Sequence, residues 1–384
     1  MPEAKPIALA VLQVIPALDT GGAERTAVDV ARAIVKAGGR AWIATAGGRL
    51  ADEAQSAGAT IVRGPYDTKN PLELWRNAAR LTKLIGDANI DIVHARSRAP
   101  AWSAYLAARR TGVAYVATYH GIYNARLAPK RYYNSIMARG AAVIANSQFT
   151  ADHVLAKHRI DVKKLHVIPR GIDIEAFTPQ NVSHTRIDAI RKQWNLAPGK
   201  PVILMPGRLT RWKGQRVFID ALAQLKSRDF IAVMAGDAQE RDAYVDELHQ
   251  ALVRHGLADQ VRIPGRYGDP PAVMMAADVI VAPSIEPEAF GRIAVEAQAM
   301  GRPLVASALG AQRETVEDNV TGFLVPPADA VALAAAIERA LTLDQSTRNA
   351  MAAAGRRNVL ARYTVEAMCT ATFDVYREVL ARHG

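Results

Sequence analysis

Ile7-Ala-Leu-Ala-Val-Leu-Gln-Val-Ile-Pro-Ala-Leu18, followed at once by Asp19-Thr20-Gly21-Gly22-Ala23-Glu24, is the stretch that decides the fold. A run so nearly apolar throughout suits a strand covered on both faces, as parallel sheets are. Paired glycines then permit a tight turn, and a helical pattern runs from Gly22 to Lys36 before a second strand at Arg40–Thr45. Outward from there the same alternation repeats. Strands are expected at Ala59–Arg63, Asp91–His94, Ala114–Thr118, Val143–Ala145 and His166–Ile168, with helices between them at Pro71–Ile85 and Ala101–Arg110. A βαβα rhythm of this kind predicts a parallel, doubly wound sheet.

The pattern weakens around residues 176–200, through Phe177-Thr178-Pro179-Gln180 and the polar run Asn181–Arg186. A second series then begins at Pro201–Met205 and continues through Phe230–Ala235, Val261–Ile263, Val279–Ala282, Pro303–Ala306 and Gly322–Val325. Two Rossmann-like α/β domains follow, 1–178 and 179–364. The tail from Ala328 to His383 reads as three helices without strands, so its last part must pack on an existing domain; residues 365–384 are assigned to the first.

Bulk properties agree with that reading. A chain of 384 residues exceeds what one core usually organises, and half of it is apolar. The single cysteine, Cys369, excludes an internal disulfide and suits a reducing cytoplasm. The run Ile7–Ile15 is too short for a secretory leader, and nothing approaches the roughly 20 apolar residues that span a bilayer. The net charge of +11 is uneven: residues 1–180 carry 24 Lys+Arg against 14 Asp+Glu, residues 181–384 carry 24 against 23. A surplus confined to one half points that half at something anionic.

Ligands of open α/β sheets bind beyond the carboxyl ends of the strands, where helix N-termini aim free N–H groups at phosphates. The chemistry-bearing residues fall there. Gly21-Gly22 lets a backbone approach a ligand closely, yet it is not the G-x-G-x-x-G fingerprint, which argues against a dehydrogenase. His120, beside Gly121, can hydrogen-bond into a crevice. Gly207-Arg208-Leu209-Thr210-Arg211-Trp212-Lys213-Gly214 places cations between glycines, as a pyrophosphate site needs; Arg208 can bind through two N–H groups and Lys213 as a point charge.

The segment Pro283-Ser284-Ile285-Glu286-Pro287-Glu288-Ala289-Phe290-Gly291-Arg292-Ile293-Ala294-Val295-Glu296 carries two carboxylates. Were both helical they would lie roughly 12 Å apart along the axis. A glycosidase pair needs about 5–9.5 Å. They therefore suit separate parts of one extended ligand, since carboxylates accept the hydrogen bonds that diols donate.

These residues resemble the E-x7-E pattern of the GT-B retaining glycosyltransferases of family four. Gly21-Gly22-Ala23-Glu24, His120-Gly121, Asn146-Ser147, Gly171-Ile172-Asp173, Gly207-Arg208, Lys213-Gly214, Ala282-Pro283-Ser284 and Thr321-Gly322 match that pattern in order, across essentially the whole chain. The resemblance implies two facing Rossmann-like domains with a C-terminal helix crossing back to the first. It implies Arg208 and Lys213 on the diphosphate of a nucleotide-sugar donor, Glu296 on the ribose, and Glu288 with Phe290-Gly291 at the donor sugar. It further implies Gly21 and Gly22 near the phosphates and His120 at the transferred sugar. One departure stands out: Arg170 occupies a place where many members have Asn.

No two aspartates are separated by one residue, so the Asp-x-Asp motif expected with a metal is missing. Arg208, Lys213 and helix N-termini must then stabilise the leaving charge, with no cofactor or metal required. The resemblance implies front-face attack and retained configuration. A GT-B epimerase is the alternative among enzymes. A nucleic-acid or anionic-surface binding protein is the alternative outside them, though the cations lack an interleaved aromatic platform, so no nucleic-acid partner is expected. Arg126, Lys130, Arg131 and Arg139, with Tyr132 and Tyr133, suit an acceptor side at an anionic membrane. Tyr119–Tyr123 together with Lys130–Tyr133 looks similar to bacterial lipopolysaccharide-core transferases. The expected acceptor is accordingly a glycan or lipid-linked glycan of the cell envelope, met at the cytoplasmic face of the inner membrane.

Overall fold

The computed structural model describes residues 9–19, 21–123, 127–227 and 229–383. They divide into two compact units, 1–171 with 365–384, and 172–364. Thr20 and Arg126, named above, lie outside the described residues, as do Ile7 and Ala8 of the first strand.

The first unit is one parallel sheet of seven strands: β1 (Ala10–Val14), β2 (Arg40–Thr45), β3 (Thr60–Arg63), β4 (Ile92–Ala95), β5 (Ala114–Tyr119), β6 (Ala142–Ala145) and β7 (Leu165–Val167). Their order is β3-β2-β1-β4-β5-β6-β7. Winding runs outward in one direction from β1 and in the other from β4, which opens a crevice between the loops that follow those two strands. Successive side chains alternate between faces. Val11, Ile92, Val116 and Ile144 pack with Val28 and Ala31 of helix Gly22–Lys36 and with Met368, Val375 and Tyr376 of helix Val365–His383. On the opposite face, Leu12, Val93, Ala117 and Val143 pack with Leu81 of helix Pro71–Ala88 and with Ala104 and Ala107 of helix Arg98–Thr111.

The second unit repeats the scheme with six parallel strands: β8 (Val202–Pro206), β9 (Ile231–Ala235), β10 (Val261–Gly265), β11 (Val279–Ala282), β12 (Leu304–Ser307) and β13 (Phe323–Val325). The order is β10-β9-β8-β11-β12-β13, so here the direction of winding reverses between β8 and β11. The polar run at 181–186, read from sequence as a break, starts a helix. Ser183 Oγ accepts a hydrogen bond from Arg186 N, and His184–Gln193 follows, burying Ile190. Its apolar stripe is narrow, which is why periodicity alone missed it. Ile172 and Phe177 belong to the core of this second unit, and Ile172 N donates to Tyr363 O at 2.8 Å.

The last helix does more than cover the first sheet. Tyr376 and His94, 282 positions apart, meet in its core: the Tyr376 hydroxyl lies 2.6 Å from His94 Nδ1, and His94 Nε2 lies 2.7 Å from Thr118 Oγ1. Both side chains are wholly buried. Tyr376→Phe removes one partner and leaves an imidazole nitrogen shielded from water, so it is expected to destabilise the first unit by about 1–3 kcal/mol. Urea denaturation of the variant beside wild type measures the loss.

Candidate functional site

In the second unit the site is built at the strand-order reversal. The loop after β8 contains the short 3-10 turn Arg211–Lys213 and ends at Gly214, whose φ is +85°. A Cβ at Gly214 would sit 2.0 Å from Pro283 O, so only glycine lets this loop close against the one after β11. Ile285 N donates to Trp212 O at 2.8 Å and ties the two loops together. The closure brings Lys213 Nζ to 2.8 Å from Glu288 Oε1, which also accepts from Ser284 Oγ at 2.5 Å. Burial would push the Glu288 carboxyl up, but Lys213, Ser284 and Arg208 together outweigh it and hold the group below its ordinary value. Glu288 is therefore ionised at neutral pH.

Arg208 is exposed on the same loop, with its guanidinium 6.0 Å from the Trp212 ring centre; Lys213 Nζ lies 4.5 Å from that centre. Arg211 turns away to pair with Glu247 and cover the Tyr244 ring. Gly291, at φ +77°, precedes helix Arg292–Ala299, so Glu288 is in the loop and Glu296 on the helix. Glu296 is buried and pairs with Arg292 Nε at 2.5 Å. Phe290, expected at the donor, packs its ring edge-on against Tyr363 in the core; it can offer a ligand its backbone but not its side chain.

In the first unit Gly22 opens the helix after β1. A Cβ there would meet Arg170 Nη1 at 2.2 Å, so the arginine's guanidinium lies directly against this glycine. Arg170 Nη2 donates to His120 O at 3.1 Å. The residue that departs from the family pattern thus joins the glycine turn to the His120 turn. Both His120 ring nitrogens are shielded and have no hydrogen-bond partner among the described residues, and the same holds for both amide atoms of Asn146. Burial, then Arg170, then Arg96, hold the His120 imidazole well below its ordinary value, so at neutral pH it carries one N–H and one free acceptor nitrogen. Burial and Arg96 act on His94 in the same direction.

Lys130, Arg131 and Arg139 are exposed. Arg139 lies over the rings of Trp102 (5.3 Å) and Tyr132 (4.9 Å), which are themselves 5.4 Å apart. Sequence reasoning passed over Gln13 and Arg96, which lie with His94 and Thr118 in one buried polar group. The signal was present: Gln13 and His94 are polar residues at inward positions of strands that are otherwise apolar.

Residues 20–176 match the model described as Glycosyltransferase Family 4, and residues 186–358 match Glycosyl transferases group 1. The chain therefore belongs to the family four, GT-B-type glycosyltransferases, and it is a glycosyltransferase. A D-inositol 3-phosphate glycosyltransferase of Xylanimonas cellulosilytica is 32% identical over 76% of this chain and 73% of its own. A glycosyltransferase structure from Rickettsia africae superposes with a TM-score of 0.90 at 35% identity, covering 97% of this chain and 99% of its own. Anabaena HepE in complex with UDP and glucose superposes at 0.84 with 27% identity, covering 95% and 98%.

The buried histidines make stability depend on pH in a definite sense. Neutral when folded and protonated near pH 6.5 when unfolded, they favour the unfolded chain below that value. Their contribution is complete above about pH 6.5 and is lost on acidification, each costing up to about 1.4 kcal/mol per pH unit. Half-buried His153, His158 and His166 shift the same way and supply a shallower background. Denaturation at pH 7.5, 6.5 and 5.5 should show falling stability, with a gentler slope in His94→Gln and in His120→Asn.

Proposed function

We propose that this glycosyltransferase moves a sugar from a nucleoside diphosphate sugar to a phosphorylated acceptor, with retention of configuration and without a metal. The observation that carries the reading is the Arg208–Lys213–Glu288 arrangement across the β8/β11 crevice. The donor's diphosphate binds at Arg208 and Lys213, and its sugar hydroxyls donate to the Glu288 carboxylate. A uridine nucleotide is favoured because HepE was solved with UDP and with UDP-glucose.

In the step itself, the bond from the anomeric carbon to the diphosphate oxygen breaks, and both its electrons leave with the diphosphate. The acceptor hydroxyl bonds the same face of that carbon and gives its proton to a leaving phosphate oxygen. Charge on the diphosphate peaks as the bond breaks, so cations fixed beforehand stabilise the transition state more than the ground state. Neutral His120 suits hydrogen bonding to a sugar hydroxyl. A phosphorylated acceptor is supported by the relative named for D-inositol 3-phosphate and by the surplus of cations in residues 1–180.

A second reading keeps the donor and replaces the acceptor with a lipid-linked glycan of lipopolysaccharide-core type, met at the inner face of the membrane. Its support is the surface of exposed Tyr132, Arg139, Lys130 and Arg131 beside half-buried Trp102, where aromatics sit beside cations. No helix among the described residues is long and apolar enough to cross a membrane. Arg126, expected on this surface, falls outside those residues.

Hydrolysis of UDP-glucose and related UDP-sugars, followed by NMR of the anomeric proton, tests the reading. Turnover should release the α-anomer first from an α-linked donor and should persist in excess EDTA. Abolition by EDTA with recovery on adding magnesium or manganese would require a metal in the step. Arg208→Ala and Lys213→Ala should each lower kcat by roughly 10²–10³. Near-normal kcat in both would move the leaving-group role to other groups.

A further inference from the structure

The two sheets reverse their winding at equivalent places, β1/β4 in the first unit and β8/β11 in the second. In the second, the crevice is crossed by an ion pair, Lys213 to Glu288. In the first, it is crossed by Arg96, which follows β4, and Gln13, which is on β1. Arg96 N donates to Val14 O at 2.9 Å, fixing the backbone. Arg96 Nε and Nη2 both donate to Gln13 Oε1, at 2.8 and 2.6 Å, while Nη1 lies at a long 3.5 Å from Thr118 Oγ1. Gln13 is held in turn by donation from Nε2 to Ala27 O at 2.8 Å. The partner across the crevice is thus a neutral amide where the second unit has a carboxylate.

Arg96 is 2% exposed, and no carboxylate among the described residues forms an ion pair with it. Asp29, buried on the adjoining helix, pairs instead with Arg32. A buried guanidinium whose acceptors are all neutral is costly to the fold. Arg170, on its glycine, adds a second guanidinium to the same carboxyl edge. The turns there are built from glycine: Gly21 is exposed, and a Cβ at Gly121 would meet nothing nearer than 3.8 Å. An oxygen of a ligand can approach them closely.

We propose that Arg96 is a substrate-recognition residue of the first unit, presented by Gln13 at the β1/β4 crevice to bind an anionic oxygen of phosphate or carboxylate type. The inference rests on the glycosyltransferase reading proposed above and adds to it a group of the first unit that recognises the anion. Nη1 supplies the charge-assisted hydrogen bond, and the planar fork gives it direction. The anion comes either from the donor diphosphate or from an acceptor phosphate. Its arrival beside Arg96 offsets the charge that depresses His94 and His120, so both imidazoles become more basic when it binds.

The experiment uses the full chain carrying Arg208→Ala and Lys213→Ala, which silences the second unit's cations. Inorganic phosphate is titrated at constant ionic strength while the ring signals of His94 and His120 are followed by NMR. A saturable shift of both signals is expected, at least tenfold weaker with Arg96→Met added. Arg96→Lys, which keeps the charge and loses the fork, should weaken it several-fold. Arg96→Met strips Gln13 Oε1 of both its donors, so circular dichroism first checks that this variant is folded, and Gln13→Leu/Arg96→Met serves as a second control that leaves no unpaired amide. Absence of a saturable shift in the parent, or equal response in both Arg96 variants, overturns the proposal. Separate titrations with UDP and with glycerol 3-phosphate identify the source: saturation by UDP alone assigns the donor, by glycerol 3-phosphate alone the acceptor. If Arg208→Ala/Lys213→Ala binds UDP as tightly as wild type, the donor reading fails, and the phosphate response still decides the role of Arg96.

Discussion

The reversal of strand order is the constraint on which both halves of this enzyme depend. A parallel sheet wound outward from two adjacent central strands must send their following loops to opposite faces, and the crevice between them cannot be filled by the sheet's own connections. Each unit resolves that crevice with side chains. Lys213 and Glu288 close one with opposite charges; Arg96 and Gln13 close the other with a charge and an amide. The glycine at 214 follows from the same constraint, since it yields space to the backbone of the loop after β11.

The electrostatics of the two sites differ accordingly. In the second unit the surroundings favour ionisation, and a buried glutamate keeps its charge because Lys213, Ser284 and Arg208 compensate the loss of water. In the first unit burial and neighbouring guanidinium groups favour neutrality, and two histidines are kept uncharged. A neutral imidazole both donates and accepts, which matches a hydroxyl; a carboxylate only accepts. One fold thereby presents a strong acceptor in one place and an ambivalent partner in another.

Much of this was legible beforehand for a physical reason. Strands buried on both faces must be apolar throughout, so Ala10–Val14 and Val279–Ala282 announce themselves, and the helix Gly22–Lys36 follows from its glycine start and its periodicity. The cations of Gly207–Gly214 and the carboxylates at 288 and 296 were visible because charge beside glycine after a strand is unusual. Phe290 shows the limit of spacing as evidence: its place between the two carboxylates says nothing of its ring, which packs against Tyr363. Arg96 was hidden for the opposite reason. Its partners come from β1 and β5, more than 20 positions away in each direction, and only the register of parallel strands brings them together.

The helix Val365–His383 follows the whole second unit along the chain yet covers the face carrying Val11, Ile92 and Ile144. During synthesis, the whole of the second unit must emerge before that face is closed. The nascent sheet therefore spends that interval with an apolar surface open to other chains, a period in which binding by a chaperone competes with aggregation. At about 5–20 residues per second, the roughly 200 residues in between correspond to tens of seconds at the slower rate. An enzyme whose first unit is completed only when Tyr376 reaches His94, 282 positions earlier, is thus sensitive to the tempo of its own translation.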